Sequence, residues 1–202
     1  MKRTESEMDK RDLGKSYEYD EINKRFILDV QLEDYRDAYS DWDFSPFTNR
    51  DLDEDLTEYL LECSYEIPMK YDLLIKFYIL NQEINQKRED RSIKGMHNYF
   101  EYQLRRIKKN KLRVLREIVS YTFIGGILLT AGYYLESHGS ESIFFSVLDE
   151  GLFIGGWVML WEMFSAWFFD MKKIINKGKH FERLNNSKII YSYGRDAVSS
   201  KP

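Results

Sequence analysis

Ile118–Leu135 reads IVSYTFIGGILLTAGYYL, a run without a charged side chain, and its reading decides the architecture. At ~1.5 Å of helical rise per residue the run spans roughly 27 Å, near the ~30 Å hydrocarbon thickness of a bilayer. Tyr133 and Tyr134 close it, placed for the membrane interface, where rings with a polar tip collect. A second run, Gly151–Phe169, reads GLFIGGWVMLWEMFSAWFF and is broken only by Glu162. Two such runs in succession predict a pair of transmembrane helices; a buried helix of a soluble core is the alternative for each.

Charge outside the runs favours the membrane. Residues 1–66 hold 9 Lys and Arg against 20 Asp and Glu, a net charge of −11. Residues 67–117 hold 13 against 6, net +7, and residues 170–202 hold 8 against 3, net +5. Between them, residues 118–169 contain no Lys or Arg and 5 acids. A basic cluster of Arg105, Arg106, Lys108, Lys109, Lys111, Arg113 and Arg116 precedes the first run, and Lys172 and Lys173 follow the second. Because basic loops stay on the cytoplasmic side, both termini are expected in the cytoplasm of a prokaryotic cell, with the 136–150 loop outside the inner membrane. No apolar signal-peptide core precedes the first run, so that run is expected to direct its own insertion. Basic residues beside a span hold topology and meet anionic lipid headgroups, so the bilayer is the expected partner and nucleic acid is not.

Small residues suggest how the two helices pack. Phe-Ile-Gly-Gly occurs at 123–126 and again at 153–156. Pairing the runs end to end predicts Gly155 and Gly156 opposite Ala131 and Gly132, and Glu162 opposite Gly125 within reach of Tyr121 or Thr122. Gly125 and Gly126 could then admit a close neighbour too. Glu162 stands out because a mid-span carboxylate is costly and commonly faces a bundle interior or a wet path. It is either an ion-path group or a protonated acid bonded to a hydroxyl of the first helix.

Outside the runs, residues 1–21 mix both charge signs with few apolar side chains and read as disordered. A small cytoplasmic α+β domain is expected over 22–88. Arg25–Leu32 alternates Phe26, Leu28, Val30 and Leu32 on one face, which predicts a strand. Asn49–Ser64 reads as a helix, capped by Asn49 or Asp51 and carrying Leu52, Leu56, Leu60 and Cys63 on one stripe. Lys70–Leu80 is the clearest strand, with Leu73, Ile75, Phe77 and Ile79 sharing a face. A basic amphipathic helix over 89–117 leads into the first span at 118–135. After the second span at 151–169, a basic tail over 170–202 holds a third possible strand at 188–193. The fold class is therefore a membrane α-helical hairpin with a small α+β domain. Its thin core and open strand edges make a homo-oligomer a reasonable expectation.

The sequence carries no recognised catalytic pattern. The three histidines, His97, His138 and His180, stand alone, and no H-E-x-x-H, G-x-S-x-G or Gly-rich phosphate loop occurs. Asp51-x-Asp53-x-Asp55 opens like a calcium loop, but Leu56 stands where that loop needs glycine. No enzyme, metal or cofactor is expected. The most distinctive local string is Asp41-Trp42-Asp43-Phe44-Ser45-Pro46-Phe47. It reads as a ligand or interaction loop, or as a structured turn whose aromatics dock on the sheet while its acids cap backbone donors.

D-W-D-F-S-P-F, R-D-L-D-E-D-L at Arg50–Leu56, Glu66-Ile67-Pro68 and G-G-W-V-x-L-W at 155–161 occur here in that order. In this the chain resembles a group of uncharacterised prokaryotic two-span membrane proteins, over roughly residues 30–185. The resemblance implies the architecture and carries no activity or functional residues. The expected function is an oligomeric membrane protein whose cytoplasmic module scaffolds, senses or regulates an unidentified cytoplasmic protein. The alternative is a pore-forming or ion-conducting oligomer that uses Glu162.

Overall fold

The structure is a computed structural model, described over residues 13–46, 48–80, 84–138 and 142–193. It is mostly helical, with two long apolar helices and one small mixed sheet. The elements in chain order are β1 (Glu18–Asp20), β2 (Arg25–Leu32), a 3-10 turn (Tyr35–Ala38) and α1 (Glu54–Glu66). β3 (Asp72–Ile79), α2 (Gln86–His138) and α3 (Ile143–Ser165) follow. A π-helical turn (Ala166–Met171), α4 (Lys172–Asn185) and β4 (Lys188–Tyr193) complete the chain. The chain divides into two compact units, one of residues 1–104 with 179–202 and the other of residues 105–178.

In the first unit the sheet runs β1-β2-β3-β4. β1 pairs antiparallel to β2, whereas β2 with β3 and β3 with β4 are parallel. The α+β expectation of two or three strands is corrected here: there are four among the described residues, and three of them are joined by parallel crossovers. Helical crossovers cover one sheet face, which buries Phe26, Leu28, Ile75, Phe77 and Ile189. Tyr191 stacks on Phe77 from this face and donates its hydroxyl to Ser92 of α2, at 2.7 Å. Leu74 and Tyr78 on the opposite face are also buried, so β3 is shielded on both sides.

The disordered stretch expected over 1–21 also needs correcting, since Glu18–Asp20 is a strand; residues 1–12 lie outside the described residues. The strand holds because Asp20 organises the turn behind it. Its carboxylate accepts from the backbone amides of Ile22 and Asn23 and pairs with Arg25 at 3.0 Å. Lys24 completes the turn with a φ of 56°. Helix α1 starts at Glu54 and is capped by Asp53, whose side chain accepts from Leu56 N. It cannot begin at Asn49, because Leu52 bridges antiparallel to Tyr39.

In the second unit, the connecting loop expected over 136–150 proves to be largely helix. α2 continues to His138 and α3 starts at Ile143, with residues 139–141 outside the described residues. Ile143, Phe144, Val147 and Leu148 repeat at helical spacing, and Asp149 and Glu150 enter the helix without ending it. The tail expected over 170–202 is likewise helical through Asn185, and its strand lies at Lys188–Tyr193. Residues 194–202 lie outside the described residues. Both long helices are long and apolar enough to cross a membrane.

Candidate functional site

The Asp41–Phe47 loop is built on one carboxylate. Asp43 Oδ1 accepts from Ser45 N at 2.9 Å, and Oδ2 accepts from Asp51 N at 2.7 Å. Bonds from Ser45 and then from the Asp51 amide hold this carboxyl below its ordinary value. The Tyr39–Leu52 bridge and the Ser40 N to Asp51 O bond close the base of the loop. Asn98 on α2 anchors its far side by donating to Thr48 O at 2.8 Å. The expected capping role of the acids is seen at Asp43, whereas the expected docking of the aromatics is corrected. Trp42 is 97% exposed and Phe44 100% exposed. Asp41 and Pro46 are exposed and Ser45 half-buried; Phe47 lies outside the described residues.

The glycine pattern works in a different register from the one expected. A Cβ on Gly125 would lie 3.2 Å from both Gly156 O and Met159 Cβ. One on Gly156 would lie 2.6 Å from Leu129 Cγ, inside contact distance. The two Phe-Ile-Gly-Gly strings therefore meet each other. Gly132 faces Asp149 and Leu152 instead of Gly155 and Gly156, and the half-buried Ala131 is not opposite them. Gly155 meets only Leu128, at 3.6 Å, and Gly126 has nothing within 4 Å. Gly126 and Ala131 instead line an open apolar groove along α2 together with Phe123, Ile127, Thr130 and Trp167. The shift follows from α3 starting early, which moves every residue of the second run along its partner.

The same shift moves Glu162 away from Gly125, whose neighbours are Gly156, Met159 and Leu160. Glu162 is exposed, one turn before the buried Ala166. The expected contact with the Thr122 hydroxyl is not made, because Thr122 donates to Ile118 O in its own helix. Arg105, Arg106, Lys108, Lys109, Lys111, Arg113, Arg116, Lys172 and Lys173 are all exposed. Among the described residues, no three His, Cys, Asp or Glu side chains gather where a metal ion could be held.

No family model, curated protein or solved structure matches the chain.

Two constellations in the first unit escape a reading of the sequence. Ser64 Oγ lies 2.9 Å from His180 Nδ1 with both residues buried, and Tyr65 packs on the imidazole at 4.0 Å. A serine beside a histidine suggests a nucleophile, but a reacting pair needs access for its substrate. Here the pair ties α1 to α4. One turn on, Arg183 donates to the carbonyls of Ser64, Ile67, Pro68 and Tyr71, satisfying the end of α1 and the turn into β3. Neither is legible in advance, because the partners are more than 100 residues apart. Cys63 is buried beside this cluster, and burial pushes its thiol pKa up, away from nucleophilic use. The second constellation is a cavity of about 310 Å³ lined by Asp34, Tyr35, Arg36, Arg88 and Arg91.

Proposed function

We propose that the chain is an oligomeric integral membrane protein whose α2 and α3 cross the bilayer as a hairpin, and whose sheet unit engages a partner at the cytoplasmic surface. The observation that carries this reading is where the apolar side chains lie. A soluble core would bury them, yet only 17% of the apolar window of α2 and 6% of that of the second helix is buried. Phe123, Ile127, Ile154, Trp157 and Trp161 all face outward. An apolar surface of that extent belongs against lipid or other helices, not water. The exposed basic side chains at 105–116 and 172–173 favour a cytoplasmic, anionic surface for the roots of both helices. For the partner, the loop bearing Trp42 and Phe44 is the favoured contact, since exposed aromatics on a hydrogen-bonded loop suit a binding anchor.

Labelling of cysteine variants in intact cells tests the arrangement. Glu136→Cys should react with a membrane-impermeant maleimide from outside, and Ile22→Cys only after lysis. Equal reaction of both before lysis would remove the hairpin. A photo-crosslinker at Trp42 should capture a second protein or a second copy; capture only from a buried control position would remove the loop as the contact.

The exposed face of Glu162 favours a second reading, an ion-conducting oligomer in which several copies turn this face toward a shared path. Two helices alone enclose no such path. Proteoliposomes holding the full chain should then pass ions at a rate altered by Glu162→Gln; equal flux in both would dismiss the path.

A further inference from the structure

The 310 Å³ cavity lies where three parallel strands end. Asp34, Tyr35 and Arg36 follow β2 directly, and Arg88 and Arg91 occupy the first two turns of α2, the helix that follows β3. Tyr35 shares a short hydroxyl contact with Tyr193, the last residue of β4, and Tyr193 in turn donates to Glu89 on α2. The strand order β2-β3-β4 has no reversal, so no switch-point crevice forms, but the carboxyl ends of parallel strands are still where the following loops and helix N-termini converge. The position holds although no sequence motif marks it.

Its chemistry is cationic. Among the described lining residues Arg36, Arg88 and Arg91 are arginines, whose planar forks match phosphate oxygens two at a time. Among the described acids, Asp34 accepts from the backbone amide of Arg36 at 2.8 Å and pairs with its guanidinium at 3.4 Å, which holds that fork at the cavity wall, and Glu89 accepts the Tyr193 hydroxyl. Asp37 accepts from the amides of Glu33 and Asp34. The first turn of α2 adds the positive end of a long helix, although the Asn85 side chain already takes the amide of Arg88. At about 310 Å³ the cavity stands at the small end of the range for small-molecule sites, room for a phosphate and a compact body.

We infer that this cavity is a binding site for a small phosphate-bearing molecule, held by Arg36, Arg88 and Arg91 at the carboxyl ends of β2, β3 and β4. The site needs only the sheet unit, so it stands or falls separately from the bilayer reading. Occupancy would draw together the segment after β2, the start of α2 and the end of β4, all three tied through Tyr35, Tyr193 and Glu89.

Calorimetry on the purified full chain in detergent, with inorganic phosphate, adenosine 5′-monophosphate and adenosine as probes, tests it. A phosphate-bearing probe should bind and adenosine should not. Arg88→Gln with Arg91→Gln should weaken that binding at least tenfold with an unchanged melting temperature, and Arg36→Gln should weaken it as a single change. Arg105→Gln with Arg106→Gln should leave it intact. Tighter binding of the nucleotide than of inorganic phosphate would assign the site to a phosphate ester; the reverse would assign it to free phosphate. The inference is overturned if no phosphate-bearing probe binds. It is equally overturned if binding survives loss of Arg36 and of the Arg88 and Arg91 pair, or falls as far when Arg105 and Arg106 are changed.

Discussion

His180 couples the stability of the sheet unit to pH. Burial, and after it the Arg183 cation, hold its imidazole below the ordinary 6.5, while the Ser64 contact opposes them. On acidification the unfolded chain therefore takes up the His180 proton before the folded chain does. Stability from this group is complete above pH 6.5 and is lost as pH falls below it. Thermal melting should show a midpoint that is level above neutrality and falls on acidification, and His180→Gln should flatten that fall. Arg183→Ala removes a donor from four carbonyls, of which Pro68 O keeps the Tyr71 amide, and should cost about 3 kcal/mol in denaturant titrations; Arg183→Lys, lacking the fork, should recover little. At Asp43 the sign also favours neutral pH. Its depressed carboxyl contributes above the ordinary 3.8, a contribution lost as pH falls through the folded value. Asp43→Ala should speed amide exchange at Ser45 and Asp51 while leaving the sheet amides protected. Asp43 could be read as a cap from its spacing. The outward turn of Trp42 and Phe44 could not, since it depends on loop closure by Tyr39 and Leu52.

Among elements, the crossing of α2 and α3 separates two glycines that look alike in sequence. Gly156→Val puts a branched side chain where Leu129 already stands and should destabilise the pair by about 2 kcal/mol, read as a lower melting temperature in detergent. Gly126→Ala meets nothing within 4 Å and should be neutral or slightly stabilising. Equal losses from the two substitutions would mean the Gly125–Gly156 crossing is not the contact that matters. Strong periodicity made some elements readable: β2 at Arg25–Leu32 falls where alternation placed it and β3 falls within two residues, while β4 at Lys188–Tyr193 lies where a third strand was possible. β1 was not readable, because three residues carry no period and the strand depends on Asp20 gathering its own turn. The early start of α3 was hidden by Asp149 and Glu150, acids that suggest a loop until the helix on both sides of them is seen.

For the whole molecule, the two long apolar helices and the longer strands are written in hydropathy and charge, but the strand pairing is not. Which strands lie side by side depends on contacts across the entire chain. The sheet is consequently exposed to its last element. Ending the chain before Lys188 would uncover the edge of β3 and remove Ile189 and Tyr191 from the face that carries Phe77. Such a chain should self-associate in gel filtration where the full chain does not exceed its native assembly, because β3, apolar on both faces, replaces β4 as the edge and the Phe77 side loses its cover. The order of synthesis gives this a further meaning. Residues 105–178 are made between β3 and β4, so the ribosome must deliver the whole of the second unit before the first can be closed. Until then the sheet waits with its edge bare, and its completion certifies that everything upstream has already emerged.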